Sequence, residues 1–379
     1  MSLKHIVRGA VIGFVSMVIS SNAYPFNYEG KDIEVSANMS ETYDDNINSS
    51  EDKEEDYKTD FMFSIGTRYE GKLSSLQFDG QIRHEMFSKH DEANNTSGGF
   101  TLNLQKGITQ YDIISLSNTF SRTFDPGAGG FESEFGRSEG RSKTTQNTMS
   151  IGYSRDISEQ VSANISYTNG MNRTSGETIT ESNQDSYAIQ MNYAYSVATG
   201  LFASYNYSKQ TFEGSESYPS ESVSAGFKQV ITNQISINGS IGVDFVEFSN
   251  GKNTGESIGI SLTDEVDEKN VVVIGFTKNK QIASDKEDLF DSWRVTGSLK
   301  RQLSDKVGSS FSGFYGQGEN IQSEVRDELL GASLSIGYEI YKNLNGNLSY
   351  SYSDRKLSNP YVTGGYDRNL ISIGLAMVF

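Results

Sequence analysis

The run from Asn369 to Phe379, NLISIGLAMVF, constrains this chain more than any other stretch. Every second residue is large and apolar: Ile371, Ile373, Leu375, Met377 and Phe379. Small residues sit between them at Ser372, Gly374 and Ala376. A period of two means a β-strand with two unlike faces. In water, a continuous greasy strand face invites edge-to-edge pairing. A barrel closed on itself in lipid has no edge, and its outer face must be apolar. A buried sheet strand of a soluble protein is the competing reading.

This ending resembles the C-terminal assembly signal of bacterial outer-membrane β-barrels, carried here by Ile373, Leu375, Met377 and Phe379. The tyrosine often found two residues before the terminal aromatic is Met377 in this chain. The N-terminus points the same way. Lys4 and Arg8 precede an apolar stretch from Gly9 to Ile19, which is too short to span a bilayer comfortably. Ser21, Asn22 and Ala23 then supply small residues at a cleavage point. Residues 1–23 read as a cleaved secretory signal peptide, and residues 24–379 as a single barrel domain. With no cysteine anywhere, a lipoprotein, a disulfide and thiol chemistry are all excluded.

Composition narrows the class. Only 35% of residues are hydrophobic, yet Tyr and Phe number 21 each, which suits strands whose lipid-facing and water-facing residues dilute one another. The chain carries a net charge of −17, and the leader contributes only basic residues, so the remainder is more acidic still. That balance argues against nucleic acid as a partner. It fits acidic loops on an envelope protein.

Period-two segments recur along the whole chain, from Ile33, Val35, Ala37 and Met39 to the terminal run. Their number predicts an all-β fold: a transmembrane, antiparallel, up-and-down β-barrel of about 18 strands, with 16 as the alternative count. The connections alternate. Short ones fall near Gly71, Gln110, Ser158, Thr199, Asn233, Lys269, Asp305 and Asn343. Long ones include Asn48–Glu55, Lys89–Gly98, Pro126–Lys143, Asn172–Asn183, Ser284–Asp288 and Leu357–Gly365. Short periplasmic turns and long external loops place both termini in the periplasm. Aromatics at strand ends form two girdles, Tyr69, Tyr195, Tyr338 and Phe379 on one side and Tyr207, Trp293, Tyr315 and Tyr352 on the other. With only Tyr24 to Lys31 ahead of the first strand, no plug domain is expected.

The inward face is the functional surface. It is rich in small polar residues such as Ser162, Asn164, Gln190, Asn192, Ser204, Asn206, Asn238 and Ser240. Such a wall suits neutral hydrated solutes, sugars included, or simply faces water and selects nothing. Arg68, Glu70, Asp79, Arg83, Glu85, Arg294 and Lys300 also fall on the inward parity. They either set a transverse field in a pore or form ion pairs that stiffen the wall. The longest connection holds Phe131, Glu132, Glu134, Phe135, Arg137, Glu139 and Arg141, which would narrow a pore if the loop folds inward. A solvated surface loop is the alternative.

Enzymatic signals are weak. His84 and His90 are the histidines beyond the leader, and neither accompanies a nucleophile motif. No metal or cofactor is called for, since the His84, Glu85, His90, Asp91 spacing is generic.

Tyr43-Asp44-Asp45-Asn46-Ile47, at the end of the first strand, resembles the opening signature of the β-barrel porin 2 family. The resemblance implies an outer-membrane barrel of similar length linked to exopolysaccharide production and export. It carries no catalytic residues, and it places Asp44, Asp45 and Asn46 at the outer rim as a polar turn or cation site. The expected role is a passive outer-membrane pore of a Gram-negative bacterium associated with exopolysaccharide secretion. The alternatives are a general or sugar-selective uptake porin and a non-conducting surface scaffold or adhesin. Expected partners are outer-membrane lipid and lipopolysaccharide, the barrel-assembly machinery and polysaccharide-export components.

Overall fold

The computed structural model describes residues 26–28, 31–124, 135, 141–175, 179–214, 217–248, 251–282, 288–359 and 363–379. The leader, and with it the expected cleavage point, lies outside the described residues. A short strand, β1 (Phe26–Tyr28), leads into β2 (Lys31–Asp44), β3 (Asp56–Glu70), β4 (Ser74–Phe87) and β5 (Asn95–Gly107). Then follow β6 (Asp112–Thr123), β7 (Lys143–Asp156), β8 (Val161–Ser175), β9 (Ile179–Ala194) and β10 (Thr199–Phe212). The next five are β11 (Ser217–Val230), β12 (Ile235–Phe248), β13 (Gly251–Asp267), β14 (Asn270–Ile282) and β15 (Leu289–Ser304). The last four are β16 (Val307–Asn320), β17 (Val325–Tyr341), β18 (Leu344–Ser358) and β19 (Thr363–Val378).

Each strand from β2 onward pairs antiparallel with its sequence neighbour, and β19 pairs with β2, so the sheet closes into an 18-strand barrel. Closure places Ile371 opposite Tyr43 and Met377 opposite Ala37. β1 is an addition that the alternation does not reveal: it is three residues long and pairs only with the start of β2.

The outward face is the apolar parity. Ile241 is 67% exposed and Ile373 63%, and Phe63, Ile82, Ile165, Ile189, Ile260, Ile274 and Leu348 are also exposed. Exposed apolar side chains on strand after strand are tolerable only against lipid. Aromatic rows flank this belt. The rings of Tyr167, Tyr187 and Tyr207 are neighbours at one height, as are those of Phe276, Trp293 and Tyr315. Tyr69, Tyr195 and Tyr338 are exposed at the opposite end. Met377 departs from the outward pattern: it is buried beside its register partners Ala37 and Leu344.

All eight short connections fall at one end of the barrel, and each leaves two to four residues between its strands. Gly71 N–H donates to Ser74 O in the first of them. The long connections share the other end. There the strands run further than the alternation indicates. β8 continues to Ser175 and β9 starts at Ile179, so most of the expected Asn172–Asn183 loop is strand. β5 starts at Asn95 inside the expected Lys89–Gly98 loop. Beyond the lipid both faces become polar, so period two disappears while the ladder, which needs only backbone groups, goes on. Strands here reach 17 residues, whereas roughly 9–11 suffice to cross a bilayer.

Candidate functional site: a polar lumen narrowed at the loop end

Toward the turn end the inner wall is small, polar and open. Hydroxyls and amides bond across strands instead of reaching inward. Ser150 meets Thr168 at 2.7 Å, Ser204 meets Ser224 at 2.6 Å, and Ser312 meets Ser333 at 2.6 Å. Asn192 donates to Ser162 and Asn238 to Ser261, each at 3.3 Å. Mutual pairing leaves a smooth neutral surface with few fixed charges. A cavity of about 700 Å³ lies against it, lined by Ser36, Ser64, Gln81, Thr101, Thr119 and Ser121 with Glu34, Arg68 and Asp79.

The sequence-marked charges divide into paired and unpaired sets. Arg83 and Glu85, near the loop end, are locked in a wall network. Arg83 grips Asp60 at 3.2 and 2.8 Å, and Glu85 takes Lys58 at 3.2 Å and the Asn95 amide at 2.8 Å. Asp60, Glu85 and Lys58 are all buried. Charges taken out of water in this way persist only when paired and hydrogen-bonded. Arg68, Glu70, Asp79 and Lys300 toward the turn end, and Arg294 nearer the loop end, make no ion pair within 4.0 Å among the described residues, although Asp79 accepts from Gln77 at 2.8 Å. Of these charges, Arg83 and Glu85 are the ones in wall ion pairs among the described residues.

The loop end is packed. Two apolar clusters, unmarked in the sequence, occupy the inner face there. In one, Phe212, Tyr218 and Phe248 are buried together with Ile282 against them. In the other, Phe314 and Leu329 are buried with Phe135 against them. Phe135 belongs to the connection between β6 and β7, yet its ring lies 5.2 Å from Phe290 on β15 and 5.5 Å from Phe314 on β16. Those strands face β6 and β7 from the far side of the closed order. From the same connection, Arg141 lies 3.4 Å from Glu85 and stacks over the Phe87 ring at 4.6 Å. Phe135 and Arg141 therefore tie this connection to opposite walls. Phe131, Glu132, Glu134, Arg137 and Glu139 lie outside the described residues.

The YDDNI stretch is a fastener between the first and last barrel strands. Arg368 donates to both oxygens of Asp44 and to Ser49 Oγ at 3.2 Å. Asn46 bonds the Asp367 carbonyl and, through both of its amide atoms, Ser50. Asp45 accepts from the Asn369 backbone and side chain and from Lys53. Ser49 sits at φ 50°, a left-handed turn position costly for a residue with a Cβ. This is the expected polar turn. Its carboxylates are occupied by cationic side chains and N–H groups, and no metal-holding cluster is found among the described residues.

The histidines have structural partners. His84 faces outward with Nδ1 3.0 Å from Thr96 Oγ1. His90 donates to Asp56 at 2.9 Å, beside the Lys89 and His90 backbone N–H groups that Asp56 also accepts. The Asp56 bond raises the His90 pKa above its ordinary value.

No protein-family model and no curated protein matches the chain. Solved structures do. The chain is similar to OpdK of Pseudomonas aeruginosa, solved with vanillate, at a TM-score of 0.51 and 8% identity, over 92% of this chain and 99% of that one. It is also similar to OccAB4 of Acinetobacter baumannii, at 0.48 and 10%, over 92% and 98%. The ferric enterobactin receptor PfeA of P. aeruginosa gives 0.48 and 8%, over 91% and 80%. The OpdK likeness shows the fold: this chain is a closed antiparallel β-barrel of the same architecture.

Proposed function

We propose that the protein is a passive channel of the Gram-negative outer membrane for small, hydrated, mostly neutral solutes, with its turn end in the periplasm and its loop end outside. One observation carries this reading: a hydroxyl- and amide-lined lumen open at the turn end meets an apolar constriction at the loop end. A scaffold that conducts nothing has no use for a hydrated wall along half its length. A barrel of this strand number is too wide for its own side chains to fill, so the loop-end clusters, not the wall, set the narrowest passage. Phe135 and Arg141 anchor the constricting connection.

Conductance of the refolded protein in a planar bilayer tests the reading. Discrete steps are expected, and they should grow when Phe131–Gly140 is deleted. A folded barrel without steps, before and after deletion, would leave the scaffold reading in its place.

The direction of traffic is a separate matter. Export of a polysaccharide rests on the YDDNI resemblance, and the neutral hydroxyl-lined wall is compatible with it. Uptake is served equally by that wall. Loss of the gene separates them: export predicts lost secreted polysaccharide, and uptake predicts slow growth on one solute with the polysaccharide intact.

A further inference from the structure

At the loop end the barrel overlaps itself. β13 and β14 pair from the turn end up to Ile258 opposite Lys278, and there the pairing stops. β14 nevertheless continues to Ile282, paired with β15 as far as Leu289. β13 continues to Gly251, paired with β12 as far as Phe248. Residues 251–257 of β13 thus have no register partner on the β14 side among the described residues.

The end of β14 has moved to the inside. The Lys280 backbone N–H donates to the Asp244 carboxylate on the inner face of β12, two strands away. Ile282 packs on Phe212, Tyr218 and Phe248, also inner-face residues. Gly255 makes the overlap feasible: a Cβ there would lie 2.7 Å from Lys280 Cβ. Across the open seam Lys278 Nζ reaches Glu256 at 2.9 Å, and Lys280 Nζ reaches Thr254 O at 3.3 Å. On the lumen side of the tucked ribbon, Phe290 meets Phe135.

We propose that the outer ends of β14 and β15 are the gate of this channel, moving between the tucked position and one zipped onto residues 254–257 of β13. Continuing the register from Ile258 and Lys278 puts Ser257 opposite Asn279, Glu256 opposite Lys280, Gly255 opposite Gln281 and Thr254 opposite Ile282. In that ladder an acid faces a base on the outer face, and amides join a hydroxyl and a glycine on the inner one. Directly opposed opposite charges favour a pairing. Residues 279–282 also keep the alternation of a wall strand, polar Asn279 and Gln281 inward, with Lys280 and Ile282 outward. Zipping would give residues 254–257 of β13 ladder bonds on the β14 side, at the expense of the Ile282 seat and the Asp244 bond. The two positions exchange one set of contacts for another, which is what a bistable element requires. Zipped, the ribbon leaves the lumen and the mouth widens.

The natural chain has no cysteine, so introduced pairs are the sole thiols. Phe248→Cys with Ile282→Cys tethers the tucked position through a short bis-methanethiosulfonate, which couples by two reducible disulfides. Ser257→Cys with Asn279→Cys reports the zipped one by disulfide formation. Both pairs should cross-link in refolded protein whose heat-modifiable gel mobility shows an intact barrel. In a bilayer, the tucked tether should abolish the higher conductance level and reduction should restore it, while the zipped disulfide should hold that level. Asp244→Ala should lengthen the time spent there, through loss of the acceptor for the Lys280 N–H. Failure of Ser257→Cys and Asn279→Cys to cross-link, while the other pair does, would overturn the gate. So would a tether that leaves conductance unchanged. The conductance arm rests on the channel reading and the cross-linking arm does not: cross-linking of both pairs in a silent barrel would keep the moving ribbon and remove the channel.

Discussion

Arg368, near the start of the last strand, grips Asp44, at the end of the first barrel strand, through hydrogen bonds of 3.1 and 2.6 Å, with both side chains only 2% exposed. The pair lies where the β19–β2 ladder ends, at Leu370 opposite Asp44. It therefore closes the seam that turns a sheet into a barrel. Breaking a buried pair by removing one partner leaves an uncompensated charge and costs about 3–5 kcal/mol. Asp44→Ala is expected to lower the denaturant midpoint of the folded barrel by that order, read by heat-modifiable gel mobility. The double change Asp44→Ala with Arg368→Ala should cost less than the sum of the two single changes.

The free charges toward the turn end should govern ion preference, and the paired ones should not. Arg68→Ala is expected to shift the cation-to-anion permeability ratio toward cations, and Asp79→Ala toward anions. Reversal potentials under a salt gradient read both. Arg83→Ala should instead lower stability, because its partner Asp60 is buried. An Arg83→Ala barrel that folds normally and changes only selectivity would reverse this assignment.

His90 gives a pH signature. Its bond to Asp56 raises its pKa above the ordinary histidine value of about 6.5. The protonated ring is the form the folded loop favours. The stabilisation is therefore complete below the ordinary value and fades as pH rises through the raised one. An NMR titration in detergent should find His90 titrating high, and Asp56→Asn should bring it back toward the ordinary range.

The apolar belt should resist charge. Ile241→Arg sets a guanidinium at a position 67% exposed on the outer face. A loss of about 2–4 kcal/mol is expected if that position lies near the bilayer midplane. The same residue at Ser240, on the inner face, should be tolerated for folding and read out in conductance. Equal losses at the two positions would contradict the assigned facing.

The barrel was largely legible in the residues. Its strand number follows from counting period-two segments, and its two ends follow from the alternation of short and long connections. Legibility fails where the lipid ends. Around Asn172–Asn183 and ahead of Gly98, polar residues occupy both strand faces, so the alternation marking a strand vanishes while the ladder persists. The same failure hid the mouth. Phe212, Phe248, Phe290 and Phe314 sit on the inward parity among polar neighbours, with no local sign that they pack.

What the amino-acid order alone determined is the wall: which residue faces in, which faces out, and how many strands close. Facing depends on the parity of each residue and on the contrast between lipid and water, both local. Only the tertiary structure decided what fills the mouth and which charges are paired. Phe135 against Phe314 and Arg368 on Asp44 are contacts between segments far apart in the chain, made only once closure has brought opposite walls and both chain ends together, and Lys280 over Gly255 exists only because the end of β14 leaves the wall.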